Sequence, residues 1–157
     1  MKILLMSVGK PHEGYVKSGV EDFSKRINNY FKLEWQIIPN LKDAATLSET
    51  DLKKKEGEII LSKIQKEDYL VALEERGKII SSEELAQMLQ TRANSGLKRL
   101  IFLIGGAFGL DETVLKRADF QWSLSKLVFP HQLVRLLLAE QVYRACTILR
   151  NEKYHHQ

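Results

Sequence analysis

The residues of this chain that could do chemistry are few, and most stand in its second half. Gly105-Gly106-Ala107-Phe108-Gly109 follows an apolar run and lets backbone approach a ligand closely, because glycine has no Cβ and tolerates positive φ. It matches neither G-x-G-x-x-G nor G-x-x-x-x-G-K-[ST], so the dinucleotide and P-loop readings lack their defining residues. Glu140 and Arg144 are four apart in a helical stretch, share a face and can pair. Tyr154, His155 and His156 form a polar aromatic tail suited to stacking on a base and hydrogen-bonding it. His131 follows Pro130 at a helix start, where it can cap the helix or touch a neighbouring loop. The Lys53 to Lys55 run could touch phosphate, although a solvated helix face is the commoner origin of such a run. The lone Cys146 reads as buried packing, and no Cys/His spacing fits a zinc site, so no metal is expected.

These groups must be placed by a scaffold of ordinary size. With 157 residues the chain is expected to be a single domain over 1–157. Hydrophobic residues are 44% and charged residues 28%, with nine Gly and three Pro, which excludes collagen-like, low-complexity and strongly disordered classes. No apolar stretch approaches the roughly 20 residues that span a bilayer. Even residues 133–149 are interrupted by Arg135, Glu140, Gln141 and Arg144. The N-terminus lacks a signal-peptide pattern, so a reducing, cytoplasmic setting is expected, with no membrane partner. The net charge of +4 is a modest basic bias, compatible with a polyanionic partner.

Ile3 to Val8 reads as a buried strand ending at Gly9. Val16, Val20, Phe23 and Ile27 recur at helical spacing and predict a helix over about 13–30. Leu33, Trp35 and Ile37 alternate with polar residues as a strand does, and a helix over 52–66 follows. Tyr69 to Leu73 is a compact apolar strand with a polar end at Glu74 to Gly77. Ser81 and Glu84 form a capping box that opens a helix to about Gln90. Residues 98–104 make another strand, 111–118 a short helix and 120–124 a last strand. Pro130 then opens the longest helix from its first turn and runs to about Arg150. Strands alternating with helices predict an α/β fold, a mostly parallel sheet with helices on both faces. In such sheets ligands settle beyond the carboxyl ends of strands, which points to the segments after Leu73, Ile104 and Leu124.

The run Trp122-Ser-Leu-Ser-Lys-Leu-Val-Phe-Pro-His131, then Arg135, then Ala139-Glu-Gln-Val-Tyr-Arg-Ala145, then Tyr154-His155, resembles one family over the whole chain. This is the ribosomal large-subunit methyltransferase H family of SPOUT-class enzymes. The resemblance implies transfer of a methyl group from S-adenosyl-L-methionine to N3 of a pseudouridine in 23S rRNA within the assembled ribosome. It also implies a C-terminal deep trefoil knot, a rare exception to the rule against threading. The donor would be held at Leu73, Gly105, Gly106, Ser125, Lys126, Leu127, Val128, Phe129 and Pro130. Ala107 and Phe108 depart from the family's loop, and His156 stands where an arginine or lysine is frequent, which would weaken a phosphate contact.

N3 of pseudouridine carries a proton, so a base or a charge-stabilising group is useful beside it. Arg144, Tyr154 and His155 are the catalytic candidates, and Glu140 and His156 are candidates for holding substrate. Nearly every other position from Leu133 to Leu149 is apolar, more than one core-facing stripe needs. A second surface must bury the excess, consistent with a homodimer whose active site combines both subunits. Between Lys126 and Gln157, Lys126, Arg135, Arg144, Arg150 and Lys153 outnumber Glu140 and Glu152, a local excess that suits RNA phosphate. The alternatives are a methyltransferase acting on another RNA, such as a tRNA base or ribose, and a noncatalytic ribosome-binding factor.

Overall fold

The computed structural model describes residues 1–156. The strands are β1 (Lys2–Val8), β2 (Lys32–Ile38), β3 (Tyr69–Ile79), β4 (Arg99–Ile104) and β5 (Phe120–Ser123). The helices are α1 (Gly14–Ile27), α2 (Glu49–Ser62), α3 (Ser82–Asn94), α4 (Glu112–Arg117) and α5 (His131–Leu149), with a single 3₁₀ turn at Ala44–Thr46. The strands form one sheet in the order β2-β1-β4-β3-β5, and every neighbouring pair is parallel.

Because both faces of this sheet are covered, its central strands β1 and β4 carry near-continuous apolar runs, Ile3 to Met6 and Leu100 to Ile104, rather than alternating ones. Ile3, Leu5, Leu100 and Phe102 face one side, where they pack with Ile27 of α1, Leu85 and Leu89 of α3, and Leu138 and Val142 of α5. Leu4, Met6, Ile101 and Leu103 face the other, against Ile60 of α2 and Val114 of α4. Cys146 lies buried in the first of these clusters, where desolvation pushes its thiol up to about 12.

Several boundaries differ from the sequence expectation. Helix α2 starts at Glu49 rather than Leu52, because Ser48 accepts a hydrogen bond from the Asp51 N–H and caps it, and it ends at Ser62. Helix α1 stops at Ile27 instead of continuing to Tyr30, while α3 runs on to Asn94. Pro130 precedes α5 as its capping residue with extended backbone, and its carbonyl accepts from the Val134 N–H, so the proline is not in the first turn. The largest difference is β3. It does not end at Leu73 but resumes after a break in register, with Leu73 and then Lys78 both opposite Trp122 of β5. Residues 74–77 bulge out of the ladder there. Gly77 permits the contact, since a Cβ on it would lie 2.7 Å from the Gln121 carbonyl carbon and oxygen.

The opposite end of the sheet is pinned by Asp68, which is buried just before β3. Its carboxylate accepts from Arg99 Nε at 2.9 Å and Nη2 at 2.5 Å, and from the Gln65 N–H at 2.7 Å. Desolvation opposes its ionisation, but the Arg99 and Gln65 hydrogen bonds and the charges of Arg99 and Arg117 outweigh it and hold the carboxyl below its ordinary value. This contribution to stability is therefore present above the ordinary aspartate value, near pH 4, and is lost as pH falls through the folded-state value. Asp68→Asn is expected to cost about 2–4 kcal/mol at neutral pH. The acid loss of stability in urea titrations should shrink with it.

Candidate active site

Since all five strands run the same way, their carboxyl ends open on one edge of the sheet, and a cleft of about 490 Å³ lies across the β4, β3 and β5 ends. That volume suits a small cofactor. Three segments wall it: Leu73 to Arg76, Ile104 to Leu110, and Trp122 to Ser125 with Leu127 to Phe129. Of the residues expected to hold a methyl donor, Leu73, Gly105, Gly106, Ser125, Leu127, Val128 and Phe129 line the cleft. Lys126 and Pro130 belong to the same turn but are not part of the wall. Leu127 and Val128 are 71% and 80% exposed, so this rim is open.

Short hydrogen bonds shape the turns. The Gly109 N–H donates to the Gly106 carbonyl at 3.1 Å and closes the glycine loop. Ser123 Oγ donates to the Ser125 carbonyl at 2.9 Å, and Ser125 Oγ accepts from the Leu127 N–H at 3.0 Å. His131 Nε2 lies 2.7 Å from the Gly105 carbonyl, so the ring nitrogen must carry the hydrogen and donate. The second and third walls are thereby joined. Burial, assisted by the charge of Arg135, holds this imidazole below its ordinary pKa despite the Gly105 bond.

Of two residues near the cleft, Glu56 escaped the sequence reading, while Arg135, counted there among the basic residues that suit RNA phosphate, proves to be buried and is not presented to a polyanion. Glu56 of α2 is buried, and a Cβ on Gly106 would stand 2.9 Å from its Oε1, so this glycine is what lets the loop lie against the carboxyl. No donor among the described residues meets Glu56, and desolvation raises its pKa. Arg135 of α5 is wholly buried, with Nε donating to Ser7 Oγ at 3.0 Å and Nη1 to the Lys10 carbonyl at 2.7 Å. Its Nη2 finds no acceptor among the described residues, a deficit of about 1–3 kcal/mol in a typical interior. Both are charged residues in helical stretches with apolar neighbours at three- and four-residue spacing. That position on the core-facing stripe was the available signal.

The proposed catalytic residues form a second constellation. Glu140 Oε1 accepts from Arg144 Nε at 3.0 Å, Arg144 Nη2 at 2.6 Å and Tyr154 Oη at 3.1 Å. Arg144 Nη1 donates to His155 Nδ1 at 3.1 Å, which leaves the hydrogen on Nε2 to donate to Glu83 Oε1 at 2.9 Å. The Arg144 guanidinium also sits over the Tyr154 ring, 4.8 Å from its centroid. Burial and the nearby Glu140 raise the Tyr154 pKa, so this phenol is a donor at neutral pH rather than a base. His156 is exposed at the end of the described chain.

The structure thus gathers Glu140, Arg144, Tyr154 and His155 in one network, but none of them lines the cleft. At 1.5 Å per residue, Glu140 and Arg144 lie roughly 13 and 20 Å along α5 from His131 at the cleft.

A family model described as "Predicted SPOUT methyltransferase" matches residues 1–155. The chain is 50% identical over 157 residues to a protein of Christiangramia forsetii, covering all of both. It is 46% identical over 157 residues to one of Flavobacterium johnsoniae, again covering all of both. A protein of Alkaliphilus oremlandii is 45% identical over 158 residues, with 99% of each chain covered. All three relatives are named "Ribosomal RNA large subunit methyltransferase H". A crystal structure of a probable methyltransferase from Bordetella pertussis Tohama I superposes with a TM-score of 0.54 at 14% identity, covering 92% of this chain and 93% of that one, a likeness of fold.

Glu56 gives this region a pH signature. A carboxyl whose folded pKa is raised costs stability above that folded value, and the cost disappears below the ordinary glutamate value near pH 4.3. Glu56→Gln is therefore expected to unfold at a higher temperature than the parent at pH 7 and to lose that advantage near pH 4, as thermal melts at both pH values would record.

Proposed function

Given that this chain belongs to the SPOUT methyltransferase family, we propose that it methylates N3 of a pseudouridine in 23S rRNA, with S-adenosyl-L-methionine as donor and the assembled ribosome as substrate. The observation that carries the donor assignment is the cleft, whose walls are the three turns singled out in the sequence. Its residues fit such a molecule. Gly105 and Gly106 bring main chain to the ligand, Leu73, Leu124 and Phe129 offer apolar surface, and Lys53, Glu74 and Arg76 supply charges of both signs for an amino-acid end. When bound, S-adenosyl-L-methionine supplies a methyl on a sulfonium, which passes to N3 as the S–C bond breaks and leaves a neutral thioether.

The protein's part is then to align the acceptor and manage its proton. Arg144 is suited to stabilising the negative charge that grows on the base oxygens as N3 is deprotonated. Tyr154 donates a hydrogen bond and offers a stacking face. His155 receives the proton at Nδ1 once Arg144 turns from it toward the substrate, with Glu83 stabilising the resulting imidazolium through Nε2. Glu140 holds Arg144 and Tyr154 in place, and His156 reaches the substrate from the exposed tail.

Because the tail network and the cleft are separated within one chain, we assign the complete site to a homodimer in which the tail of one protomer faces the cleft of the other. The apolar excess of α5 supports this, since Leu133 and Leu137 are only half-buried and Leu127 and Val128 are exposed. The same reading includes a single domain, a trefoil knot at the third turn, and a cytoplasmic site of action. The knot is supported by the path from β5 at the sheet edge to α5, whose first turn meets β1 and the β4 loop through Arg135 and His131.

Mass spectrometry of 23S rRNA from a strain lacking this gene is expected to show the pseudouridine without its N3 methyl. A methyl that persists would overturn the assignment. Shared sites make a separate prediction: Arg144→Ala and a cleft variant such as Gly106→Leu, each inactive alone, should recover activity when their subunits are exchanged in a mixture. Continued inactivity of mixed dimers would place tail and cleft in the same protomer.

A further inference from the structure

Among the described residues Arg135 is the largest fully buried side chain, and no carboxylate lies within ion-pair distance of it. A buried guanidinium without a counter-ion is costly, and an apolar side chain of similar volume would fill the space at less expense. Its bonds all run to one place. Nε meets Ser7 Oγ in β1, and Nη1 meets both the Lys10 carbonyl at 2.7 Å and His12 Nδ1 at 3.3 Å. Gln132, on the same turn of α5, donates to the Pro11 carbonyl at 3.3 Å and accepts from the Glu13 N–H at 3.1 Å. One turn before Arg135, His131 holds the Gly105 carbonyl in the cleft wall.

The first turn of α5 is thus tied on one side to the glycine loop and on the other to the segment leaving β1. The segment that carries the third cleft wall, residues 122–130, runs directly into this turn. We propose that Arg135, with His12 as its titratable partner, is a positioning residue that fixes the third wall of the cleft relative to β1 and the glycine loop. The inference rests on the cleft being the donor site.

Only a neutral His12 can serve, because Nδ1 must present a lone pair to the Arg135 N–H. The groups facing His12 are Arg135 from α5, Glu21 from α1, and the edge-packed Trp35 ring of β2, which does not titrate. Glu13 and His131 bear on Arg135 instead. Desolvation and the Arg135 charge hold the His12 pKa below its ordinary value, with Glu21 acting in the opposite sense. His12 is therefore neutral at physiological pH. Acid below the usual histidine range protonates it, breaks the bond and sets two cations side by side.

The test is calorimetric titration of the full-length protein with S-adenosyl-L-methionine across pH. The parent is expected to lose roughly tenfold in affinity between neutral pH and about pH 5. His12→Gln keeps an acceptor but no titrating group, and should bind as the parent does at neutral pH while losing the acid decline. Arg135→Lys keeps the charge but not the fork, and is expected to bind roughly tenfold more weakly at neutral pH. A merely structural arginine would lower the melting temperature and leave the acid decline in place. An acid decline that survives in His12→Gln, or parent-like binding by Arg135→Lys, would overturn the proposal. Absence of donor binding by the parent would instead overturn the cleft assignment on which it rests.

Discussion

The constraint on which the rest depends is that every strand of the sheet points the same way. A parallel pair cannot be closed by a tight hairpin, so each strand returns through a helix and both sheet faces are consumed by packing. What remains open is the edge where the strands end. The three turns that leave β3, β4 and β5 meet there because their strands are neighbours, and the cleft follows from strand order more than from any one side chain. Backbone is therefore a large part of its wall. The glycines are placed where another surface must come close: Gly77 against β5 and Gly106 against Glu56.

The polar groups divide into two sets with different demands. Around Arg135, His131 and Glu56 the groups are deeply placed and incompletely matched, with a guanidinium lacking a counter-ion, one N–H lacking an acceptor and a carboxyl lacking a donor among the described residues. Around Glu140 and Arg144 the matching is thorough: a carboxylate oxygen accepting from two guanidinium N–H groups, a phenol and an imidazole complete one another's hydrogen bonds. The first set lies at the cleft, where geometry is at a premium. The second forms a closed circuit at the far end of α5, and an incoming RNA base must compete with it for Arg144.

The alternation of strands and helices was readable because fully buried strands leave uninterrupted apolar runs, and because capping residues such as Ser81 mark helix starts. The three cleft turns followed from the rule that ligands gather at strand ends. The extension of β3 was not readable: Glu74, Glu75 and Arg76 look like a loop, and it is the pairing of Lys78 with Trp122 and of Ile79 with Ser123 that returns the chain to the sheet. Glu56 was overlooked, and Arg135 was counted toward a basic surface, for a related reason. A charged side chain on a helix carries no local sign of whether it points to water or into the interior, and that is settled by what packs over it. The separation of Arg144 and Tyr154 from the cleft likewise depends on the direction of α5, which spacing along the chain does not specify.

Cys146 carries a practical consequence. It is the chain's single thiol, it stands on the buried side of α5 in the sheet's main packing layer, and with its proton held up to about 12 it presents almost no thiolate to solution. The native protein is in effect silent toward maleimide dyes and nitroxide labels. A cysteine introduced on the rim of the third turn or in the aromatic tail would be the sole reporter, so the spacing between those two regions across an assembly becomes measurable by spectroscopy without first removing the natural residue.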